Sequence, residues 1–343
     1  MKITEKIVND LVQNGKKLLE TRTLVLVYNV IGFTNKIDNN QQNSDFFSNK
    51  EIGEILDVIV KAEIKIKIYY NERDFIQDIS NNLIDPHKNI VWNLSRQGSQ
   101  NNEKSLVTSC CDYYKIPFIG SSVYSMILCR NKNHSQQLLK AYDLCYIPTY
   151  TYLNDLDNIN PGDYIVKPLN GSASRSVEIL EQATSSKLKE KLSQPVRLAQ
   201  KNIDGYEIEV PLLEYNNEFY ALGIQGLKIN DECYLKKTIL DEENSNNYNY
   251  SFYDFEDIAT FHGYSTSKII SDAIKIAKIF QLHGYCRIDF RYNNTRSYYC
   301  FDIATTPYIT EHASPVIAFN QFGTHAELIF AIVGTVKPNI DNQ

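Results

Sequence analysis

The chain has 343 residues, of which 43% are apolar and 22% are charged, values that are ordinary for a folded globular protein. At about 150 residues per domain, this length predicts two or three domains. Lysine and arginine number 35 against 41 aspartate and glutamate, a net charge of −6. This balance argues against a broad nucleic-acid-binding surface, because such surfaces neutralise phosphates with lysine and arginine.

Seven cysteines occur at irregular spacing and without a CxxC pair, which argues against a disulfide framework or a zinc site. No apolar run approaches the roughly 18 residues of a membrane span. The charged N-terminal segment lacks the apolar region of a secretory signal. We therefore expect a cytoplasmic protein with reduced thiols and no nucleic-acid or membrane partner.

Helices and strands are predicted to alternate over the first 125 residues. The first twenty residues have apolar positions at helical spacing, and Ser48 with Glu51 forms a capping-box pattern before a second helix. Further helices are predicted near 75–79 and 104–114. The predicted strands cover 24–28, 64–69, 90–92 and 116–119. Such alternation predicts a parallel α/β sheet.

The pattern changes near residue 125. A helix at 131–142 precedes a strand at 164–167, which runs into a loop of small residues at 170–174. The next β-rich stretches cover 196–200, 207–213 and 218–227, and a polar segment at 241–250 is predicted to be a mobile loop. A strong helix at 265–282 precedes two strands, 285–292 and 298–303, joined by a turn at Asn293-Asn294. Helices are predicted to close the chain.

Three short motifs carry possible chemistry, although the P-loop and the GxGxxG fingerprint are absent. Lys167 at a strand end, followed by small residues, suits phosphate binding but is also typical of an ordinary turn. Arg287 and Asp289 lie two apart in a strand and share a face, as a binding pair or as a structural ion pair. Asp302 on the next strand would join Asp289 at one hard cation, unless it is a solvated acid.

These segments occur in the order found in the D-alanine–D-alanine ligases of the ATP-grasp superfamily, which the chain resembles from about residue 89 to its end. The motifs include YIVKP, QKNIDGYE and GYCRIDF. The similar segments are 91–93 and 120–132 before the central domain, 164–172 at the phosphate-covering loop, 200–207 at the adenine and ribose hinge, 252–255 at the mobile lid, and 284–290 with 302–312 at the catalytic end.

The resemblance implies an α/β (α+β) fold with an N-terminal parallel α/β domain at 1–125, a central ATP-grasp lobe at 126–203 and a C-terminal lobe at 204–343. It assigns magnesium binding to Asp289 and Asp302. It assigns to Arg287 the stabilisation of negative charge on the substrate and on the tetrahedral intermediate. The residues that it assigns to ATP are Lys132, Lys167, Ser172, Ser174, Gln200, Lys201, Ile203 and Glu207. It further implies small carboxylate and amine substrates, with amino acids preferred, and a homodimer by analogy.

Several positions depart from the family pattern. Asp302-Ile303-Ala304 stands where the family usually has Glu-x-Asn, so a ligand of a second magnesium ion is missing. Tyr308 replaces a glycine, Gln200 replaces the hinge acid, and Ile258 stands where a lid lysine is expected. The N-terminal Gly-Gly motif is not recognisable in 28–45.

The sequence therefore predicts an ATP-dependent carboxylate–amine ligase that forms an amide through an acyl phosphate, with altered substrates. One alternative is a degenerate ATP-grasp protein that binds nucleotide or ligand with little turnover. The other is a true D-alanine–D-alanine ligase with divergent residues.

Overall fold

The computed structural model describes residues 1–32, 46–96, 104–170, 176–240 and 249–337, and their strands form three sheets. The first sheet is parallel, whereas the other two are antiparallel and carry helices. This arrangement confirms the predicted α/β class. None of the helices in the described ranges has the length and apolar character that a membrane crossing requires. All seven cysteines are unpaired, as predicted.

The first sheet has the strand order β2-β1-β3-β4, with every neighbouring pair parallel. The predicted capping box is present, because Glu51 N–H donates to Ser48 Oγ at 3.2 Å and Ser48 N–H donates to Glu51 Oε2 at 2.7 Å. The elements of this region are α1 (Glu5–Thr21), β1 (Thr23–Tyr28), α2 (Asn49–Lys61), β2 (Ile66–Tyr69), α3 (Glu72–Ser80), β3 (Asn89–Leu94), α4 (Leu106–Tyr113) and β4 (Phe118–Ile119).

The second sheet has the strand order β5-β8-β6-β7 and its own small apolar core. Two helices lead into it, of which the first was not predicted. Strand β5 and the β7–α7 unit were not predicted either. Half of the residues of β7 are exposed, so this strand lacks an apolar signature. The elements are α5 (Val123–Arg130), α6 (Lys132–Ala141), β5 (Thr149–Thr151), β6 (Gly162–Pro168), β7 (Glu178–Ala183), α7 (Ser185–Lys191) and β8 (Arg197–Lys201).

The third sheet has the order β12-β11-β9-β13-β14, and β10 pairs with β9. The β-rich stretch predicted at 218–227 contains β10 and the start of β11. Asn293 Oδ1 accepts from the N–H groups of Thr295 and Ser297, which closes the predicted hairpin. The elements are β9 (Tyr206–Tyr215), β10 (Glu218–Ala221), β11 (Gln225–Ile229), β12 (Tyr250–Asp254), α8 (Phe255–His262), α9 (Thr266–Ile279), β13 (Tyr285–Tyr292), β14 (Tyr298–Ala304), α10 (Ser314–Phe319) and α11 (His325–Gly334).

The two faces of the third sheet differ in chemistry. Ile208 and Val210 on β9, with Ile288 and Phe290 on β13, belong to the apolar core that also contains residues of α9. Because side chains alternate between faces along a strand, the intervening residues of β9 and β13 point to the opposite face. That opposite face carries most of the charged residues discussed below.

Helix α1 packs along α11, the last helix described. Gly15 and Gly334 lie at this crossing, and a Cβ atom on either would overlap the backbone of the other helix. The two backbones approach so closely because both positions lack a side chain. The N-terminal helix is thereby joined to the end of the described chain as well as to the sheet that follows it.

Candidate active site

A row of acidic side chains crosses three adjacent strands of the third sheet. Glu209 on β9, Asp289 on β13 and Asp302 on β14 are direct cross-strand neighbours. Asp289 and Glu209 are buried, whereas the side chain of Asp302 is 30% exposed. The row therefore has a buried end at β9 and an open end at β14.

Arg287 neutralises the buried end of this row. It donates from Nε to Asp289 Oδ1 and from Nη2 to Oδ2, both at 2.7 Å. Its Nη1 lies 3.1 Å from Glu209 Oε2, and the hydroxyl of Ser314 donates to the same carboxylate. Burial raises the pKa of Glu209, although Arg287 opposes this effect. One guanidinium therefore holds two carboxylates of the row, as its planar fork allows.

Two lysines lie at the open end of the row. Lys132 begins α6 and its Nζ is 3.1 Å from Asp302 Oδ1. Lys167 stands near the end of β6, and the backbone N–H of Lys132 donates to Leu169 O, which joins α6 to this strand end. The pKa of Lys167 is lowered to about 7, mainly by burial and in addition by Lys132, while Asp302 acts in the opposite direction. Although burial disfavours its ionised form, Asp302 has a lowered pKa because both lysines face it.

The segment predicted as a hinge connects the second and third sheets. The side chain of Gln200 is buried and donates from Nε2 to Thr149 Oγ1 at 2.9 Å. Lys201 is exposed at the end of β8, and Ile203 is half-buried in the connection to β9. The carbonyl of Ile203 accepts from Arg291 Nε at 3.1 Å.

Arg291 also binds Glu207, the residue that is predicted to bind ribose. Its Nη1 donates to Glu207 Oε2 at 2.8 Å, and its Nη2 donates to the carbonyls of Lys236 and Thr238. Burial raises the pKa of Glu207, and Arg291 opposes the rise. Arg291 therefore fixes both the hinge backbone and the acid that follows it.

Sequence reasoning did not identify Glu209 or Arg291 as members of the site. The signal was present in the alternation, because Glu207 and Glu209 share one face of β9. On the antiparallel partner β13, Arg291 lies opposite Glu207 and Asp289 lies opposite Glu209. Arg291 and Glu207 form a complementary pair across the ladder, whereas Glu209 and Asp289 are two like charges that Arg287 neutralises from the next position on the same face.

The structure shows what surrounds three of the residues that depart from the family pattern. Ala304 lies opposite Arg287 on β14. Tyr308 stacks edge-on against Phe47, with ring centroids 5.1 Å apart, and the Arg96 guanidinium lies 5.1 Å from its ring centroid. Ile258 is half-buried on α8 and packs against the apolar core of the third sheet.

The structure describes only parts of the predicted lid and of the predicted phosphate loop. Residues 252–254, predicted as part of a lid, belong to the edge strand β12 and pair with β11. Ser172 and Ser174 fall within 171–175, outside the described residues. The mobile loop predicted at 241–250 lies outside them up to residue 248. The N-terminal motif region likewise lies outside them from 33 to 45.

Known proteins resemble this chain in the sequence of its second half and in its fold. A sequence profile of the family described as D-ala D-ala ligase C-terminus matches residues 164–333. A search of the curated proteins finds no matching sequence. Among solved structures, the D-alanine–D-alanine ligase of Bacillus anthracis complexed with ATP has a TM-score of 0.63 at 16% identity, covering 92% of this chain and 96% of that chain.

Two further structures show the same fold. The VanG D-Ala:D-Ser ligase of Enterococcus faecalis has a TM-score of 0.64 at 13% identity, covering 92% of this chain and 99% of that chain. The D-alanine–D-alanine ligase of Coxiella burnetii has a TM-score of 0.63 at 14% identity, covering 92% and 95%. With the profile match spanning β6 to α11 and the fold shared over most of its length, the chain belongs to the D-alanine–D-alanine ligase family of ATP-grasp, ATP-dependent carbon–nitrogen ligases.

Proposed function

We propose that this protein joins a small carboxylate to an amine at the expense of ATP, with an acyl phosphate as the intermediate. The observation that carries the proposal is the grouping of Lys132, Lys167 and Asp302 at the open end of the charged row. Phosphoryl transfer depends mainly on positioning and charge neutralisation. Two lysines beside one partly exposed carboxylate suit that task, because they attract phosphate oxygens while the carboxylate remains open to a bound cation.

Asp302 and Asp289 are suitable ligands for one magnesium ion. They are neighbours across β13 and β14, and hard cations prefer carboxylate oxygens completed by phosphate oxygens and water. Asp289 keeps lone pairs beyond those that Arg287 engages. Magnesium, when bound, supplies further neutralisation of the phosphate charge. Ala304 offers no oxygen from its side chain, so the donor set supports one ion better than two.

Arg287 is proposed to stabilise the negative charge that develops when the amine attacks the acyl phosphate. Its position is fixed by Asp289 and Glu209, and its side chain retains 16% exposure. A preorganised donor is effective because it need not reorganise as charge develops. At the other end of the cleft, the backbone of 201–203 and the carboxylate of Glu207 are proposed to receive adenine and ribose.

The substrates are proposed to differ from those of standard family members. The aromatic ring of Tyr308 stands where the family has glycine and packs between Phe47 and Arg96. Arg96 is 2% exposed and donates from Nη1 to Thr306 Oγ1 at 2.7 Å and from Nη2 to Thr306 O at 3.1 Å. The Tyr308 ring is thus a fixed, bulky group within the segment 302–312 that resembles the catalytic end of the family. It supports the proposal of a reshaped amino-acid pocket and of a peptide-like or specialised amino-acid product.

A second candidate function is nucleotide binding with little turnover, which Ala304 and Ile258 favour. The deciding experiment measures phosphate release from ATP and magnesium across a panel of D- and L-amino acids, singly and in pairs. Turnover with a pair, lost in Lys167→Ala, supports the ligase. Synthesis of D-alanyl-D-alanine alone would overturn the proposal that the substrates differ from those of standard family members. No turnover across the panel, with ATP still raising the melting temperature, would favour the binding protein.

A further inference from the structure

A cavity separate from the candidate active site lies on the outer side of the C-terminal region. Its volume is about 770 Å³, within the range of pockets that hold small ligands. Three elements form its walls: the segment after α6, the outer face of α9, and the hairpin between β13 and β14. The residues that line it are Tyr142, Asp143, Leu144, Cys145, Lys268, Asp272, Lys275, Lys278, Ile279, Arg296, Ser297, Tyr298 and Tyr299.

The cavity is lined by four cationic and two anionic side chains, although the whole chain is acidic. One of the two acids is already neutralised. Asp272 is buried, receives a hydrogen bond from Tyr298 Oη at 2.6 Å, and has Lys275 Nζ at 3.3 Å. This acid therefore contributes little to the field in the open part of the cavity, where cations predominate.

Two of the cations have no carboxylate partner among the described residues. Arg296 projects from the exposed turn of the hairpin, and Lys268 from the first turn of α9, where its Nζ lies 5.7 Å from the centroid of the Tyr298 ring. In contrast, Lys278 is paired with Glu218 at 2.6 Å. Lys268 and Arg296 thus remain available to a ligand, and they approach the cavity from different elements.

We propose that this cavity binds a small polyanion, a molecule with at least two phosphate or carboxylate groups. Lys268 and Arg296 would bind separate anionic groups, while Lys275 supplies a further donor at the floor. Arginine and lysine suit this role because the fork of arginine binds an oxyanion through two N–H groups and lysine adds a mobile point charge. The proposal is independent of the ligase assignment, since it uses none of the residues of that site.

Two structural elements connect the cavity with the candidate active site. Helix α6 begins at Lys132 and ends beside the cavity, and β14 runs from Tyr298 at the cavity to Asp302 at the charged row. The two elements are also joined between these ends, because Gln136 Nε2 donates to Cys300 O at 2.8 Å. The cavity therefore adjoins both elements that carry the Lys132–Asp302 pair.

The test is isothermal titration of inorganic pyrophosphate, and separately of citrate, into the full chain carrying Lys167→Ala, which weakens anion binding at the candidate active site. We expect saturable binding that becomes at least about tenfold weaker when Lys268→Gln and Arg296→Gln are added. Both positions are exposed, so the variant should fold, which circular dichroism verifies. The matched control adds Lys61→Gln and Lys88→Gln, two exposed lysines of the first domain.

The two probes distinguish the source of the ligand. Binding of pyrophosphate alone assigns the cavity to phosphates, and binding of citrate as well extends it to polycarboxylates. The proposal is overturned if neither probe binds saturably, or if the variant with Lys268→Gln and Arg296→Gln binds as tightly as the matched control. It is also overturned if the unmodified chain binds and Lys167→Ala alone abolishes binding, because the anion then occupies the candidate active site.

Discussion

Arg287 holds Asp289 through two parallel hydrogen bonds of 2.7 Å, so the proposed catalytic cation and a proposed metal ligand form one rigid unit on β13. Glu209 fixes the remaining end of the guanidinium. Lysine cannot reproduce this fork, since it offers a single mobile ammonium group.

Arg287→Lys should therefore lower kcat by about 100-fold or more, the usual effect of removing a preorganised oxyanion donor. KM for ATP should change much less, because Lys132 and Lys167, which are proposed to bind the phosphates, are retained. Steady-state kinetics would measure both values, and Arg73→Lys on the exposed face of α3 is the matched control. A variant with unchanged kcat would show that Arg287 is only a structural partner of Asp289.

The low pKa of Lys167 predicts a proton coupled to nucleotide binding. With a pKa of about 7, Lys167 is mostly neutral at pH 8 before ATP binds, and phosphate oxygens then favour its charged form. ATP binding should therefore take up protons at pH 8 and almost none at pH 6, and affinity should fall as pH rises above 7. Calorimetry in buffers of different ionisation enthalpy measures this uptake.

Lys167→Arg is the control for the proton, because arginine stays charged throughout this pH range. It should retain ATP binding with no proton uptake at pH 8. Equal uptake by the wild type and by the arginine variant would assign the proton to another group.

Ala304→Asn tests the composition of the metal site. The substitution adds an amide oxygen at the position where the family has asparagine, opposite Arg287 on β14. If turnover is limited by the missing ligand, kcat should rise and its magnesium dependence should shift to lower concentration. Ala304→Leu, which adds comparable bulk without an oxygen, should produce neither change. Activity that is unchanged in Ala304→Asn would mean that one ion is sufficient.

Tyr308→Gly tests whether the aromatic ring shapes the substrate pocket. Loss of contacts with Phe47 and Arg96 should reduce the free energy of unfolding by about 1–3 kcal/mol, because a large, partly buried side chain is removed. The same variant should change which amino acids support phosphate release. Tyr308→Phe keeps the ring and should retain the wild-type preference. An identical substrate profile in all three proteins would remove Tyr308 from the pocket.

Because α1 and α11 approach closely at Gly15, the methyl group of an alanine at this position should destabilise the protein. Gly15→Ala should destabilise the protein by about 2 kcal/mol or more, because its Cβ would overlap the carbonyl of Phe330 on the facing helix. Gly53→Ala is the matched control, since that helical position has open space around it and alanine favours helix. Urea unfolding should show opposite signs for the two variants. Equal effects would mean that the helices can separate without loss.

Most of the regular elements could be predicted, as could Arg287 and Asp289 of the buried end and the residues of the open end, whereas Glu209 and Arg291 could not. Apolar periodicity predicted β1, β3 and α9, and family motifs led to Lys132, Lys167 and Asp302. The half-exposed strand β7 has no such periodicity. The Arg287–Glu209 pair depends on the register between β9 and β13, which joins residues far apart in sequence. A single sequence does not specify that register.

The packing of α1 on α11 joins the first helix of the chain to the last helix described. The first and third sheets share one apolar core, and Trp92 Nε1 on β3 donates to Tyr285 Oη on β13 at 3.0 Å. The second sheet has a small core of its own, and Asp163 on β6 forms an ion pair with Lys237 in the segment after β11. We therefore expect that, if the sheets move apart, the β5–β8 layer moves while the first and third sheets stay joined by their common core and by the α1–α11 contact.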